Sequence, residues 1–228
     1  MSDNNPVLRH GVYFFHDGDI IIRVEDSVFR IHRFFLTRES KYFRSMFMGN
    51  VPSRDPPGSS ESNPIVLKDV TSDAFADFLW VFYNHEYSIY SATLEKWKRI
   101  LALAQEWGFI QVERLCVREL EKLTIPPVEK IKIYQDFNLD PELLYDSYVE
   151  LITRLEPLAL EEGMKLELLT SLKIARAREL ARALAPDGAT SSSGPATIEL
   201  QESDIQSVIR DVFGLQGPGP APVTNCLN

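Results

Sequence analysis

Cysteine, histidine and long apolar runs are all scarce in this chain, and each scarcity removes a class of function. Only Cys116 and Cys226 occur in 228 residues. Cys226 sits in the Gly- and Pro-rich stretch GPGPAPVTNCLN, so no structural disulfide is expected, and a reducing compartment, cytosol or nucleus, suits the composition. No apolar run approaches the ~18 residues that a membrane-spanning helix needs. The opening residues, MSDNNPVLRHG, lack the charged-then-apolar pattern of a secretion signal. Positive charge is also short: 24 Lys and Arg stand against 33 Asp and Glu, a net charge of −9. A face broad enough to neutralise nucleic-acid phosphates is therefore not expected. The four histidines are His10, His16, His32 and His85. No HExxH, CxxC, GxSxG, Walker A or GxGxxG pattern accompanies them. Neither a cofactor, a metal, a small-molecule substrate nor a catalytic reaction is expected.

What remains is an ordinary globular composition, 44% hydrophobic and 25% charged, in a chain long enough for one sizeable core and a smaller appendage. Residues 1–10 read as a loose polar start, and GVYFF (11–15) as a segment able to dock in extended form. IIIRV (20–24) and VFRI (28–31) are β-branched runs separated by Glu25, Asp26 and Ser27, which predicts a hairpin. The period then changes. Ser40 is placed to cap a short helix carrying Phe43, Met46 and Phe47. A Pro- and Ser-rich loop (50–63) leads to a third strand, PIVL (64–67).

Helices follow. Thr71 or Ser72 caps one that faces inward with Phe75, Phe78, Leu79 and Phe82. Thr93 opens another with Trp97, Ile100, Leu101, Ala104 and Trp107, closed by Gly108. A third carries Val112, Leu115, Cys116 and Leu120 and stops at Pro126 and Pro127. Residues 126–185 hold no strand signal. Pro127 starts one helix, Asp140 and Pro141 another, and a longer helical run covers Met164 to Leu184. APDGATSSSGPAT (185–197) has the composition of a flexible linker. Ser203 and Gln206 fit a capping box, opening an amphipathic helix that ends at Gly214. Its apolar stripe is expected to fold back on the protein, because a free tail would leave it in water.

GDIIIRVEDSVFRIHRFFLTRESKYFRSMF (18–47), PIVLKDVTSDAFADFLWVFYN (64–84) and LEKWKRILALAQEWGFIQVERLCVREL (94–120) together resemble a BTB/POZ domain. The positions that carry the resemblance are Asp19, Phe29, His32, Arg33, Leu36, Ser40, Tyr42, Phe43, Met46 and Phe47. The chain as a whole is similar to the short BTB proteins of mushroom-forming fungi. The resemblance implies an α+β fold: a small sheet flanked by helices over residues 17–123, followed by an all-helical region. The expected plan is a tail at 1–16, helices over 124–184, the linker at 185–197, a helix within 198–215 and a disordered tail at 216–228.

His32 is the residue on which an enzymatic reading would turn. A base needs a nucleophile and an orienting group, and a zinc site needs three or four ligands. None is at recognisable spacing, so His32 is expected to be buried at a strand-to-helix junction. Its nitrogens would be bonded to nearby backbone or to Asp19, because an unpaired buried polar group costs about 1–3 kcal/mol. The resemblance places Asp19, His32 and Arg33 in one polar cluster. His10, His16, Asp17 and Asp19 read as a polar entry loop rather than a metal site. The aromatic set Phe75, Phe78, Phe82, Trp97 and Trp107 reads as core. Lys173, Arg176, Arg178 and Arg182 read as a solvated helix face, with cations favoured in a last turn.

The function implied by the resemblance is protein–protein interaction. One alternative is a substrate adaptor for a cullin-based ubiquitin ligase, and another is a transcription-linked regulator acting through protein contacts. Cullin-binding relatives often carry an apolar residue, any residue, then Glu after the Met-Phe helix. The matching positions here are Val51, Pro52 and Ser53, which lack the carboxylate. Self-association is open, but a strand-swapped dimer is not expected. Residues 1–18 contain Pro6, Gly11 and Gly18 and show no helical period.

Overall fold

Three consecutive isoleucines, Ile20, Ile21 and Ile22, are all buried, and so is Val24. A strand buried on both faces must lie inside a sheet with both sides covered. The computed structural model, which describes residues 8–48, 55–87, 89–184 and 200–217, places it so. β2 (Ile20–Val24) pairs antiparallel with β3 (Ser27–Ile31) and parallel with the short β4 (Ile65–Leu67). The sheet order is β1-β3-β2-β4. The hairpin turn is tighter than expected. Ser27 belongs to β3, so Glu25 and Asp26 alone make the turn, and Glu25 adopts a left-handed φ of 50°. Its carboxylate then accepts from Ser72 N at 2.8 Å, the first residue of a helix.

The edge strand was not expected as such. β1 (Leu8–Phe14) pairs parallel with β3, so residues 8–10 are strand rather than loose tail. Its register jumps: Arg9 sits opposite Val28 and Phe14 opposite Arg30. Gly58, at φ +84°, approaches β2 so closely that an added Cβ would meet Ile20 Cγ1 at 2.9 Å. Its carbonyl accepts from Ile21 N at 2.8 Å.

Two short helices, α1 (Arg33–Thr37) and α2 (Lys41–Met48), follow the hairpin. After β4 come α3 (Ser72–Tyr83), α4 (Leu94–Trp107) and α5 (Ile110–Leu120). Thr71 and Thr93 cap α3 and α4 by accepting from Ala74 N and Lys96 N. Gly108 closes α4 at φ 71°. Phe43, Phe75, Phe78, Trp107 and Phe109 form one buried ring cluster, with Phe78 perpendicular to Trp107 at 5.1 Å. Ser40 ties it together: Oγ accepts from Phe43 N at 3.2 Å and donates to the Trp107 carbonyl at 2.6 Å. The fold is α+β.

The chain divides into two units, residues 1–123 and 124–228. The described elements of the second unit are helices. α6 (Pro127–Asp136) starts at a proline. A 3-10 turn, Pro141–Leu144, is capped by Asp140, whose Oδ1 accepts from Glu142 N, and runs into α7 (Tyr145–Thr153). The run expected from Met164 to Leu184 is broken into α8 (Leu160–Lys165) and α9 (Leu168–Leu184) at Leu166, which is buried. α10 (Glu202–Phe213) packs against α7 and α9. Val208 and Ile209 are buried, and the Phe213 ring stacks on Tyr148 at 4.0 Å. The capping box is not formed. Gln201 is the N-cap, and Ser203 lies inside the first turn with Glu202 and Asp204, which favour the helix dipole instead. Gln216 and Gly217, assigned to a disordered tail, donate their N–H groups to the Glu142 carboxylate. The linker at 185–197 and the tail from 218 lie outside the described residues.

Candidate interaction surfaces

The junction after β3 assembles from three elements. α1 has no side-chain cap of its own, since its N-cap is His32. Asp19, from the residue before β2, supplies one: Oδ1 accepts from Arg33 N at 2.6 Å. Asp19 therefore serves the Arg33 backbone and not His32, contrary to the sequence expectation. His32 is only half-buried, and it finds a partner the sequence did not indicate. The Tyr83 hydroxyl, at the end of α3, accepts from His32 N at 2.9 Å and lies 3.0 Å from Nδ1. The Tyr83 hydroxyl thus bridges the backbone and the ring of His32. Nε2 faces Asp17 Oδ2 at 3.4 Å. A backbone hydrogen bond within Asp17, helped by His32, lowers the carboxyl's pKa. Burial raises that of the Tyr83 phenol. The Arg33 guanidinium lies over the Phe47 ring at 5.4 Å. These contacts hold the hairpin, α1 and α3 together.

The other candidates separate. His10 stacks on Phe29 at 4.5 Å, and its Nδ1 accepts from Tyr13 N. Among the described residues no group of three or more His, Cys, Asp or Glu side chains could hold a metal ion. Burial pushes the Cys116 thiol up to about 12, which leaves it a thiol at neutral pH. Arg178 is not on a solvated face. It is 4% exposed, and its guanidinium donates to the carbonyls of Leu151 and, at 3.0 Å, Leu155. It thus closes the C-terminal end of α7, where carbonyls lack helical partners. Val51, Pro52 and Ser53 lie outside the described residues.

An open groove of about 280 Å³ lies between α1, α3 and α5, lined among others by Phe35, Arg38, Glu39, Phe82, Tyr90 and Leu115. Glu39 is fixed there because its carboxylate accepts from Gln111 N in the first turn of α5. Next to the lining residue Phe35, Phe34 is 62% exposed, with the guanidinium of the lining Arg38 over its ring at 5.9 Å. An aromatic and an arginine beside an open groove are the residue types that most often anchor protein interfaces.

Residues 14–124 match the family model of the BTB/POZ domain. This segment is a BTB/POZ domain. Domains of this family are protein–protein interaction modules. Curated relatives of the chain include Kelch-like protein 15 of mouse, rat and human, each 27% identical over 146 residues. The match takes in 60% of this chain and 23% of theirs, so the chain spans about a quarter of the length of those relatives. Among solved structures, the BTB domain of zebrafish PATZ1 is similar at a TM-score of 0.34 and 20% identity, covering 46% of this chain and 77% of that one. No helix among the described residues is long and apolar enough to cross a membrane.

Proposed function

We propose that this chain is a protein-binding subunit with no chemistry of its own, and that its BTB/POZ domain presents the α1–α3–α5 groove to a partner. The observation that carries the reading is the family match over residues 14–124, joined to a groove lined by Arg38, whose guanidinium lies over the exposed Phe34. Action in the cytosol or nucleus rests on the scarcity of cysteine, and kinship with the short fungal BTB proteins on the sequence resemblance; both belong to the same proposal. The test is affinity purification from the native cells of the tagged chain beside a Phe34→Asp, Arg38→Glu variant, with bound proteins identified. Proteins held by the wild type and lost from an equally stable variant are expected. An unchanged set would remove the groove from the reading.

The Kelch-like relatives favour a second reading, a cullin adaptor. Val51 could serve as the apolar anchor, whereas Ser53 cannot replace the carboxylate. Losing one charged hydrogen bond costs about 1.5–3 kcal/mol, roughly ten- to a hundredfold in affinity. Weak binding is the expectation. Calorimetry against the cullin N-terminal region of the same organism decides it: submicromolar binding, weakened by Val51→Asp, would promote the adaptor.

A further inference from the structure

The inward side of α9 is spoken for. Thr170, Ile174, Ala177, Arg178 and Ala181 are buried within the second unit. The opposite side is not. Leu169 and Leu172 are 63% and 58% exposed, and Arg176, Glu179 and Ala183 are exposed after them. These five residues are spaced three, four, three and four apart, the spacing of a seam along which one helix packs against another. Two neighbouring leucines exposed at the head of such a seam point to a contact more than singly scattered apolar residues do. Arg176 and Glu179 make no ion pair or hydrogen bond among the described residues.

The order of the residues along the seam says what fits it. Turn a second α9 end for end and place Arg176 of one copy opposite Glu179 of the other. The two-fold axis repeats that pair, so the centre carries two complementary ion pairs. The next layers on either side then set Leu172 against Ala183, a large side chain against a small one, which permits close approach. A parallel alignment would instead set Arg176 against Arg176 and Glu179 against Glu179. Like charges facing each other repel, so the charge order selects the antiparallel arrangement. We propose that the outward face of α9 is a self-association surface, pairing antiparallel with α9 of a second copy of this chain. Exposed Leu160 and Met164 on α8, which packs against α9, add apolar surface beside it. The seam belongs to the second unit and does not depend on the reading of the BTB/POZ domain. A helix of this length is roughly 25 Å long, which puts the contact among the smaller, reversible interfaces.

Sedimentation equilibrium of the full chain tests it. Arg176→Glu and Glu179→Arg should each weaken one association step at least tenfold, because each places like charges opposite one another twice. The double exchange Arg176→Glu, Glu179→Arg should restore that step. All of these positions are exposed, so circular dichroism should show unchanged folding. Geometry is read separately in a Cys226→Ser background. Leu172→Cys mixed with Ala183→Cys should oxidise to a covalent heterodimer, while Leu172→Cys alone should not cross-link to itself. A wild type monomeric at its highest soluble concentration would overturn the proposal. So would association indifferent to both single exchanges, failure of the double exchange to restore it, or cross-linking of Leu172→Cys alone.

Discussion

Tyr83 shows how a single hydroxyl can decide the fate of a histidine. It accepts from the His32 backbone and meets the ring, so Tyr83→Phe leaves two polar atoms without that partner. A loss of about 1–3 kcal/mol is expected in urea unfolding. His32→Ala should also destabilise, and stoichiometric zinc lost on that substitution would contradict a structural role. Arg178 is a second case. Arg178→Met keeps most of the apolar stem but leaves the Leu151 and Leu155 carbonyls short of a donor, so a loss of about 1.5–3 kcal/mol is expected. A thermal shift near zero would return Arg178 to the solvated face that its sequence suggests. Glu162 supplies a pH dependence. Arg154 holds it at 3.0 and 2.5 Å, and that hydrogen bonding lowers its pKa in the folded state. Its contribution is thus complete above the ordinary glutamate range and is lost as pH falls through the lowered value. Glu162→Gln should remove part of the acid limb of the melting profile and leave its slope near pH 7 unchanged.

At the scale of elements, periodicity revealed what local chemistry controls. The hairpin, the threonine caps of α3 and α4, and the proline start of α6 each carry their cause within a few residues. β1 did not, because its apolar residues do not mark an inward face: Leu8 and Val12, four apart and so on one side of the strand, are both exposed. The break between α8 and α9 was equally hidden, since apolar residues continue across it. For the polar junction, the sequence offers Asp19 as a partner for the His32 ring, whereas Asp19 bonds the Arg33 backbone, and Tyr83, 51 residues from His32, leaves no local signal. α10 is where an element-scale prediction bears most directly. Amides of residues 205–213 should exchange slowly. Phe213→Ala removes the ring stacked on Tyr148 and should speed that exchange, with a stability loss of about 1–3 kcal/mol for a half-exposed ring. Exchange as fast as in a free peptide would mean that α10 does not dock in solution.

For the whole molecule, the division at residue 123 sorts the aromatic side chains unevenly. Trp80, Trp97 and Trp107 all precede it, and residues 124–228 contain no tryptophan. Trp97 and Trp107 are buried in the α3–α4 packing, and Trp80 lies 5.8 Å from Trp97. Indole emission is therefore a private optical channel for the first unit, blind to the second. Far-ultraviolet ellipticity, by contrast, sums the helices of both. Phe213→Ala should move the ellipticity transition in denaturant while the tryptophan transition stays where it was, and Ser40→Ala should move the tryptophan transition. Coincident shifts of both signals in both variants would show that the chain melts as one cooperative body. Separate shifts would let one cuvette and two wavelengths report on each half of the chain without cutting it.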